Sequence, residues 1–304
     1  MMSYAVVFPG QGSQFVGMMA DLAKVYPEVT EIFATVSDHL HYDVWNLVQN
    51  GPEDLLNQTE HTQVAMLTAD VVMFRLFQRQ KSSFPDRMAG HSLGEYAALV
   101  CAEALSLTDA ARLVKTRGRL MQETVPLGVG AMAAIIGLTD EQVMDICLKS
   151  SDDSEHVTPA NYNAPGQVVV AGHHAAVIRA IDLANLAQAR MAKLIPVSVP
   201  CHCELLKPAA EQFSEALAET PFQTPKGTVI SNVDLSIYHS PAQIRTLLQQ
   251  QLYSPVRWVE TIQMMQRQGI ERIVECGPGK VLTGLTKRID KTLQGSAAQD
   301  TIGG

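Results

Sequence analysis

The pentapeptide Gly90-His91-Ser92-Leu93-Gly94 is the stretch of this chain best suited to covalent chemistry, and it runs directly into Glu95-Tyr96-Ala97-Ala98-Leu99-Val100. G-x-S-x-G is the spacing of a nucleophile elbow, in which a strand reverses sharply into a helix and lifts a serine hydroxyl clear of the backbone. The two glycines leave room for that crowding. Because a good helix former follows, Ser92 is expected at a helix N-terminus, where free N–H groups and the dipole favour negative charge. An ordinary glycine turn is the competing reading, and the pentapeptide alone does not choose.

Three other places carry chemistry. Gly10-Gln11-Gly12-Ser13-Gln14 follows an apolar run, but a dinucleotide fingerprint needs glycine at position 15, where Phe15 stands. The loop is either a plain tight turn or a source of backbone N–H groups that, with that of Leu93, point at an oxyanion. Arg117 is the second. At about 100° per residue it falls in the apolar sector of Ala110, Leu113, Val114 and Met121, while Arg112, Lys115 and Arg119 share the other face. A buried guanidinium needs a partner, which is an internal Asp or Glu or the carboxylate of a ligand.

A serine nucleophile also needs a base, and His202, in Val199-Pro200-Cys201-His202-Cys203, is the candidate among nine histidines. Serine before histidine suits α/β-hydrolase chain order, although no acidic residue between them declares itself as a third member. A structural histidine is the alternative. His39, His41, His61, His156, His173, His174 and His239 sit in polar or loop surroundings and are expected at the surface. Cys201-His202-Cys203 lacks the x₂₋₄ spacing that lets ligands converge on zinc, so no metal is expected.

The elements needed to hold these residues are legible in outline. Tyr4 to Phe8 is a buried strand feeding the glycine loop, Asp21 to Leu40 and Gln63 to Gln80 have helical periodicity, and Thr108-Asp109 caps a helix running through Met121. This is an α/β pattern with a largely parallel sheet. From about residue 127 to 198 the pattern changes to βαββαβ: strands Ala131 to Gly137, Val157 to Asn161, Gln167 to Ala171 and Met191 to Val199, with helices after Thr139 and from His174 to Gln188. That is a ferredoxin-like split unit. It divides the chain into a large domain of residues 1–126 and 199–304 and an inserted small subdomain of residues 127–198. Beyond it come helices from Pro208 to Glu219, Pro241 to Leu252 and Val256 to Gln268, strands Thr228 to Ser231 and Ile270 to Glu275, and a tail from Leu293 expected to fray.

Composition narrows the function classes. With 304 residues, 46% hydrophobic and 18% charged, the chain can bury a large core. A net charge of −8 argues against nucleic acid or an anionic membrane as partner. No apolar stretch approaches spanning length, and the N-terminus lacks the basic n-region of a signal peptide. Five scattered cysteines suit a reducing compartment, so a cytoplasmic location is expected.

Taken together, these pieces resemble the malonyl-CoA:acyl-carrier-protein transacylase family, including the acyltransferase domains of fatty-acid and polyketide synthases. The resemblance rests on Phe8 to Gln14, Gly90 to Tyr96, Arg117-Gly118, Asn161 to Gln167, Val199 to His202, Gln251 to Trp258 and Glu275 to Gly279, in family order across nearly the whole chain. It implies a hydrolase-like large domain with a ferredoxin-like insert. It implies Ser92 as nucleophile, His202 as base, Arg117 as clamp for the free malonyl carboxylate, and Gln11 and Leu93 as oxyanion-hole amides. Gln251 would orient His202 through its backbone carbonyl, so that a Ser–His dyad needs no acid.

The activity implied is malonyl transfer from CoA to acyl carrier protein through a malonyl-serine ester, with no metal or redox cofactor and the chain acting as a monomer. Cys201 stands where synthase-embedded members place bulkier residues that bear on extender choice. Rival readings are an ester or thioester hydrolase, a catalytically dead binding module, and the malonyl-transfer component of a malonate decarboxylase or trans-acting polyketide system. Two basic clusters, Arg112, Lys115 and Arg119, and Lys280, Lys287 and Arg288, are candidates for docking an acidic carrier protein.

Overall fold

A computed structural model describes residues 3–196 and 199–302. Five strands form a parallel sheet: β1 (Tyr4–Phe8), β2 (Arg87–Gly90), β7 (Val229–Ile230), β8 (Arg272–Glu275) and β9 (Gln294–Ala297), in the order β7-β2-β1-β8-β9. The central β1 reads Tyr-Ala-Val-Val-Phe and is buried at every position, because a parallel strand is covered on both faces. One face packs on the helix Thr59–Arg79, itself buried on nearly all sides, and on the helices Gly94–Cys101 and Leu107–Thr124. The other face packs around Trp258, Ile262, Met265, Leu282 and Leu285.

The second sheet is antiparallel, in the order β4-β5-β3-β6, from β3 (Gly130–Ile136), β4 (Val157–Ala164), β5 (Gln167–His173) and β6 (Met191–Leu194). The helices Asp140–Ser150 and His174–Leu186 cover one side, giving the βαββαβ order of a ferredoxin-like unit with a core of its own. The last strand, expected to reach Val199, ends at Leu194; Val197 and Ser198 lie outside the described residues. Backbone bonds tie the small sheet to the segment before Trp258, where Val256 N donates to Ala160 O (2.9 Å) and Tyr162 N to Val256 O (3.0 Å). That pairing delays the helix expected from Val256, which begins at Trp258.

Other boundaries differ for local reasons. The helix expected over Asp21 to Leu40 is two, Ala20–Val25 and Glu28–Leu40, broken at Pro27, whose ring cannot continue a helix from its N-terminal side. Val44–Asn50 and Glu53–Leu56 are additional short helices. The cap of the arginine-bearing helix is Ser106, whose hydroxyl accepts from Asp109 N, two residues before the expected Thr108. The C-terminal segment is ordered: β9 pairs in parallel with β8, and the helix Gln299–Ile302 buries Ile302. Gly303 and Gly304 lie outside the described residues. No helix among the described residues is long and apolar enough to cross a membrane.

Candidate active site

Strand β2 ends at Gly90, in register with Phe8 of β1, so the elbow and the Gly10 loop leave the carboxyl ends of adjacent parallel strands. A Cβ on Gly90 would overlap the backbone of Gly94 and Glu95, one on Gly94 the Phe8 carbonyl, and one on Gly10 would lie 2.6 Å from His91 O. Close approach of three chain segments, rather than positive φ, demands glycine there. The left-handed conformation falls on Ser92 itself, at φ 52°. It persists because the turn is held on both sides: Asn232 Oδ1 accepts from Ser92 N (2.8 Å), Asn232 Nδ2 donates to Gly90 O (2.7 Å), and Gln251 Nε2 donates to Ser92 O (3.0 Å).

His202 follows the small sheet and is buried, also left-handed at φ 61°. Its Nε2 lies 2.7 Å from Ser92 Oγ and its Nδ1 lies 2.8 Å from the backbone oxygen of Gln251. A carbonyl only accepts, so Nδ1 carries the proton and Nε2 presents a lone pair to the serine hydroxyl. The carbonyl is available because Gln251 ends the helix Pro241–Gln251, where the last C=O groups have no intrahelical donor. Burial, and then the positive charge of Arg117, push the His202 pKa down to about 3. The imidazole is therefore a neutral acceptor at ordinary pH.

Arg117 is 1% exposed. Gly118 beside it lets the helix Leu107–Thr124 approach the helix Thr59–Arg79 so closely that a Cβ there would lie 2.5 Å from Glu60 Cα. The guanidinium donates through Nη1 to Gln63 Oε1 (2.9 Å) and through Nη2 to Gln251 Oε1 (3.0 Å), and lies 5.7 Å from the Tyr96 ring centroid. No carboxylate forms an ion pair with it among the described residues, and its Nε is buried without a partner. Of the two sequence readings, the internal ion pair is the one not seen. Neutral amide oxygens satisfy two N–H groups without an ion pair, and the buried Glu95 that feels the Arg117 charge is itself pushed toward neutrality by burial, which favours an incoming anion.

Several members of the site escaped sequence reasoning. Glu95 is fully buried and accepts from Gln251 Nε2 (2.5 Å), Tyr238 Oη (2.6 Å) and Asn232 N (3.2 Å); burial pushes its pKa up to about 7 against those hydrogen bonds. A charged residue one step into an otherwise apolar helix was the available signal. Gln63 and Asn232 left none. His91 sets its Nε2 2.8 Å from Asn163 Oδ1 of the small sheet and its ring edge-on to Trp258, with its pKa lowered by burial.

The remaining sequence candidates fall as follows. Leu93 is buried and Gln11 exposed, and no hydrogen bond occupies either backbone N–H among the described residues. The Cys201 and Cys203 thiols donate to Val199 O and Pro200 O of their own loop, and burial pushes their pKa values up to about 11 and about 12. Among the described residues no group of three or more His, Cys, Asp or Glu is placed to hold a metal. His61, expected at the surface, is partly buried, with Nε2 3.6 Å from Glu60 Oε1.

Such a site, a serine and a neutral histidine beside a buried unpaired cation, suits acyl transfer from a donor bearing a free carboxylate. Comparison with known proteins agrees. Residues 5–302 match the family model described as acyl transferase domain. The chain is 51% identical over 300 residues to the malonyl CoA-acyl carrier protein transacylase of Escherichia coli (strain K12), covering 99% of this chain and 97% of that protein. It is 40% identical over 300 residues to that of Bacillus subtilis (strain 168), covering 99% and 94%. The crystal structure of an acyl carrier protein S-malonyltransferase from Vibrio cholerae superposes with a TM-score of 0.95 at 51% identity, covering 99% of both chains. A malonyl-transacylase solved in complex with its type II polyketide acyl-carrier protein superposes at 0.94 with 50% identity, covering 97% of this chain and 94% of that one. The chain belongs to the malonyl CoA-acyl carrier protein transacylase family.

Proposed function

We propose that this chain transfers the malonyl group from malonyl-CoA to the phosphopantetheine thiol of an acyl carrier protein, supplying fatty acid synthesis. The observation that carries the reading is the Ser92–His202 pair, 2.7 Å apart, beside an Arg117 guanidinium that donates to the amide oxygens of Gln63 and Gln251 and has no carboxylate ion-pair partner among the described residues. The malonyl carboxylate supplies the missing negative charge. Its thioester carbonyl then faces Ser92.

His202 Nε2 takes the proton of Ser92 Oγ as that oxygen attacks the carbonyl carbon. The oxyanion receives the N–H groups of Leu93 and Gln11, and the dipole of the helix Gly94–Cys101 acts in the same direction. Collapse breaks the C–S bond; His202 returns its proton to the CoA sulfur, which leaves as the thiol. A malonyl ester remains on Ser92. In the second half, the carrier thiol loses its proton to His202 Nε2, attacks the ester, and Ser92 leaves with that proton restored. Gln251 O, on His202 Nδ1–H, stabilises the imidazolium in each half, which is why a dyad suffices.

The large domain, residues 1–126 and 199–304, carries the nucleophile, base and clamp, and the small one, residues 127–198, walls the acyl channel near His91 and Asn163. The enzyme works in the cytoplasm as a monomer and needs no metal or redox cofactor. A buried cation without an ion-pair partner in the acyl pocket has no purpose in a general esterase, so transfer is favoured over hydrolysis. The test is turnover of malonyl-CoA with and without phosphopantetheinylated carrier protein. Malonyl carrier protein as the dominant product supports the reading; free malonate as the dominant product in its presence overturns it.

A further inference from the structure

Glu95 lies three positions beyond the proposed nucleophile in the helix Gly94–Cys101, wholly buried, with no hydrogen bond to either side chain of the Ser92–His202 pair. Three groups converge on its carboxyl, and all three are donors. Gln251 Nε2 meets one oxygen at 2.5 Å; the Tyr238 hydroxyl at 2.6 Å and Asn232 N–H at 3.2 Å meet the other. A carboxylate accepts from all of them, whereas a carboxamide of the same shape must turn a donor of its own toward one.

The consequence reaches Arg117 through Gln251. A side-chain amide has one donating and one accepting end. With Nε2 held by Glu95 and Ser92 O, Gln251 Oε1 is the end that faces Arg117 Nη2, at 3.0 Å. Turned over, the amide would set two donors against each other at Arg117 and push the guanidinium from its place. Glu95 also receives the N–H of Asn232, whose side chain spans Gly90 O and Ser92 N.

We propose that Glu95 is a positioning residue for acyl selectivity: by fixing which end of the Gln251 amide meets Arg117, it aims the guanidinium at the free carboxylate of the acyl group. This rests on Arg117 binding that carboxylate. Glu95 therefore acts on malonyl groups and has little to offer an acyl group without a terminal charge.

The test compares wild type, Glu95→Gln, Arg117→Ala and the double variant, reading the rate of acyl-enzyme formation from malonyl-CoA and from acetyl-CoA by quenched-flow mass measurement. Wild-type loading by malonyl-CoA checks the proposed function by itself, so its failure is distinguishable from failure of the Glu95 assignment. Glu95→Gln is expected to lower kcat/KM for malonyl loading about tenfold more than for acetyl loading, with the malonyl loss mainly in KM. In the Arg117→Ala background it should not change the malonyl-to-acetyl ratio further, because the two residues act through one contact. A merely structural role lowers both donors alike. An unchanged ratio, or ratio effects that multiply in the double variant, overturns the proposal. Should Glu95→Gln fail to fold, Tyr238→Phe removes one of the three donors and carries the test: a partial fall in the ratio supports the assignment, and an unmoved ratio overturns it.

Discussion

Ser92 and His202 approach to 2.7 Å between Oγ and Nε2, and both hold left-handed backbone conformations, at φ 52° and 61°. Non-glycine residues reach that region at a cost of order 1–3 kcal/mol each, and only where surroundings over-determine them. Here the surroundings are shared. Gln251 gives its side-chain Nε2 to Ser92 O and its backbone oxygen to His202 Nδ1, and the next carbonyl, that of Leu252, accepts from His202 N at 3.1 Å. One helix C-terminus thus holds Ser92 and His202 in register.

Arg117→Ala should separate charge recognition from chemistry. Charge-assisted hydrogen bonds are worth about 1.5–3 kcal/mol each, so malonyl loading should fall more than about tenfold while acetyl loading is spared or raised. Equal losses for the two donors, measured as kcat/KM, would make Arg117 a structural residue.

The pH dependence follows from opposite shifts in two buried groups. His202 stays neutral in the folded protein down to about 3, whereas an unfolded histidine binds a proton below about 6.5. The unfolded state therefore binds more protons in that window, and stability falls as pH drops through it. Glu95, raised to about 7, acts in the other sense: the folded state holds a proton that the unfolded state releases above about 4.5, so its contribution falls as pH rises toward 7. The two offset one another between about 4.5 and 6.5, leaving His202 dominant below. Thermal melts should show wild type losing more stability than His202→Gln between pH 4.5 and 3.5; parallel losses would contradict the shift. For the same reason protonation of His202 should give kcat/KM for acetyl loading, which does not depend on Glu95, no acid limb near 6.5.

Carrier-protein docking should discriminate between the two basic clusters. Arg112 and Arg119 are paired with Asp109 (3.4 Å) and Glu123 (3.0 Å), and Lys280 with Asp300 (2.7 Å), while Lys287 and Arg288 are exposed with no ion pair among the described residues, Arg288 donating to the neutral amide of Gln167. The less neutralised pair should be the dock. Lys287→Glu with Arg288→Glu is expected to raise KM for carrier protein several-fold and flatten its salt dependence, with loading from malonyl-CoA unchanged. No change at low salt would place the dock elsewhere.

Gly118→Ala is expected to lower the melting temperature and malonyl loading together. The added methyl meets the backbone of Glu60, which cannot swing aside, so the helix carrying Arg117 must move. Unchanged melting and loading would show that the helix pair has slack.

The sequence disclosed whatever is set by short spacing. The elbow is five consecutive residues, the inward arginine follows from 100° steps along one helix, and the βαββαβ order follows from alternating periodicities. Glu95, Asn232 and Gln251 could not be joined that way, because their contacts bridge 137 and 156 positions and depend on how β7 and the helix Pro241–Gln251 return to the elbow. The tail from Leu293, expected to fray, is instead a strand over Gln294–Ala297, because the open edge of β8 supplies the hydrogen bonds that its small side chains do not demand. At Pro27, helical periodicity on both sides concealed a break that proline chemistry requires.

The most direct test of the central claim is the intact mass of the protein after brief mixing with malonyl-CoA, followed by peptide mapping. One malonyl adduct per chain, located on Ser92, absent in Ser92→Ala and discharged by phosphopantetheinylated carrier protein, is the result expected. An adduct on another residue, or transfer at near wild-type rate by Ser92→Ala, would contradict the account.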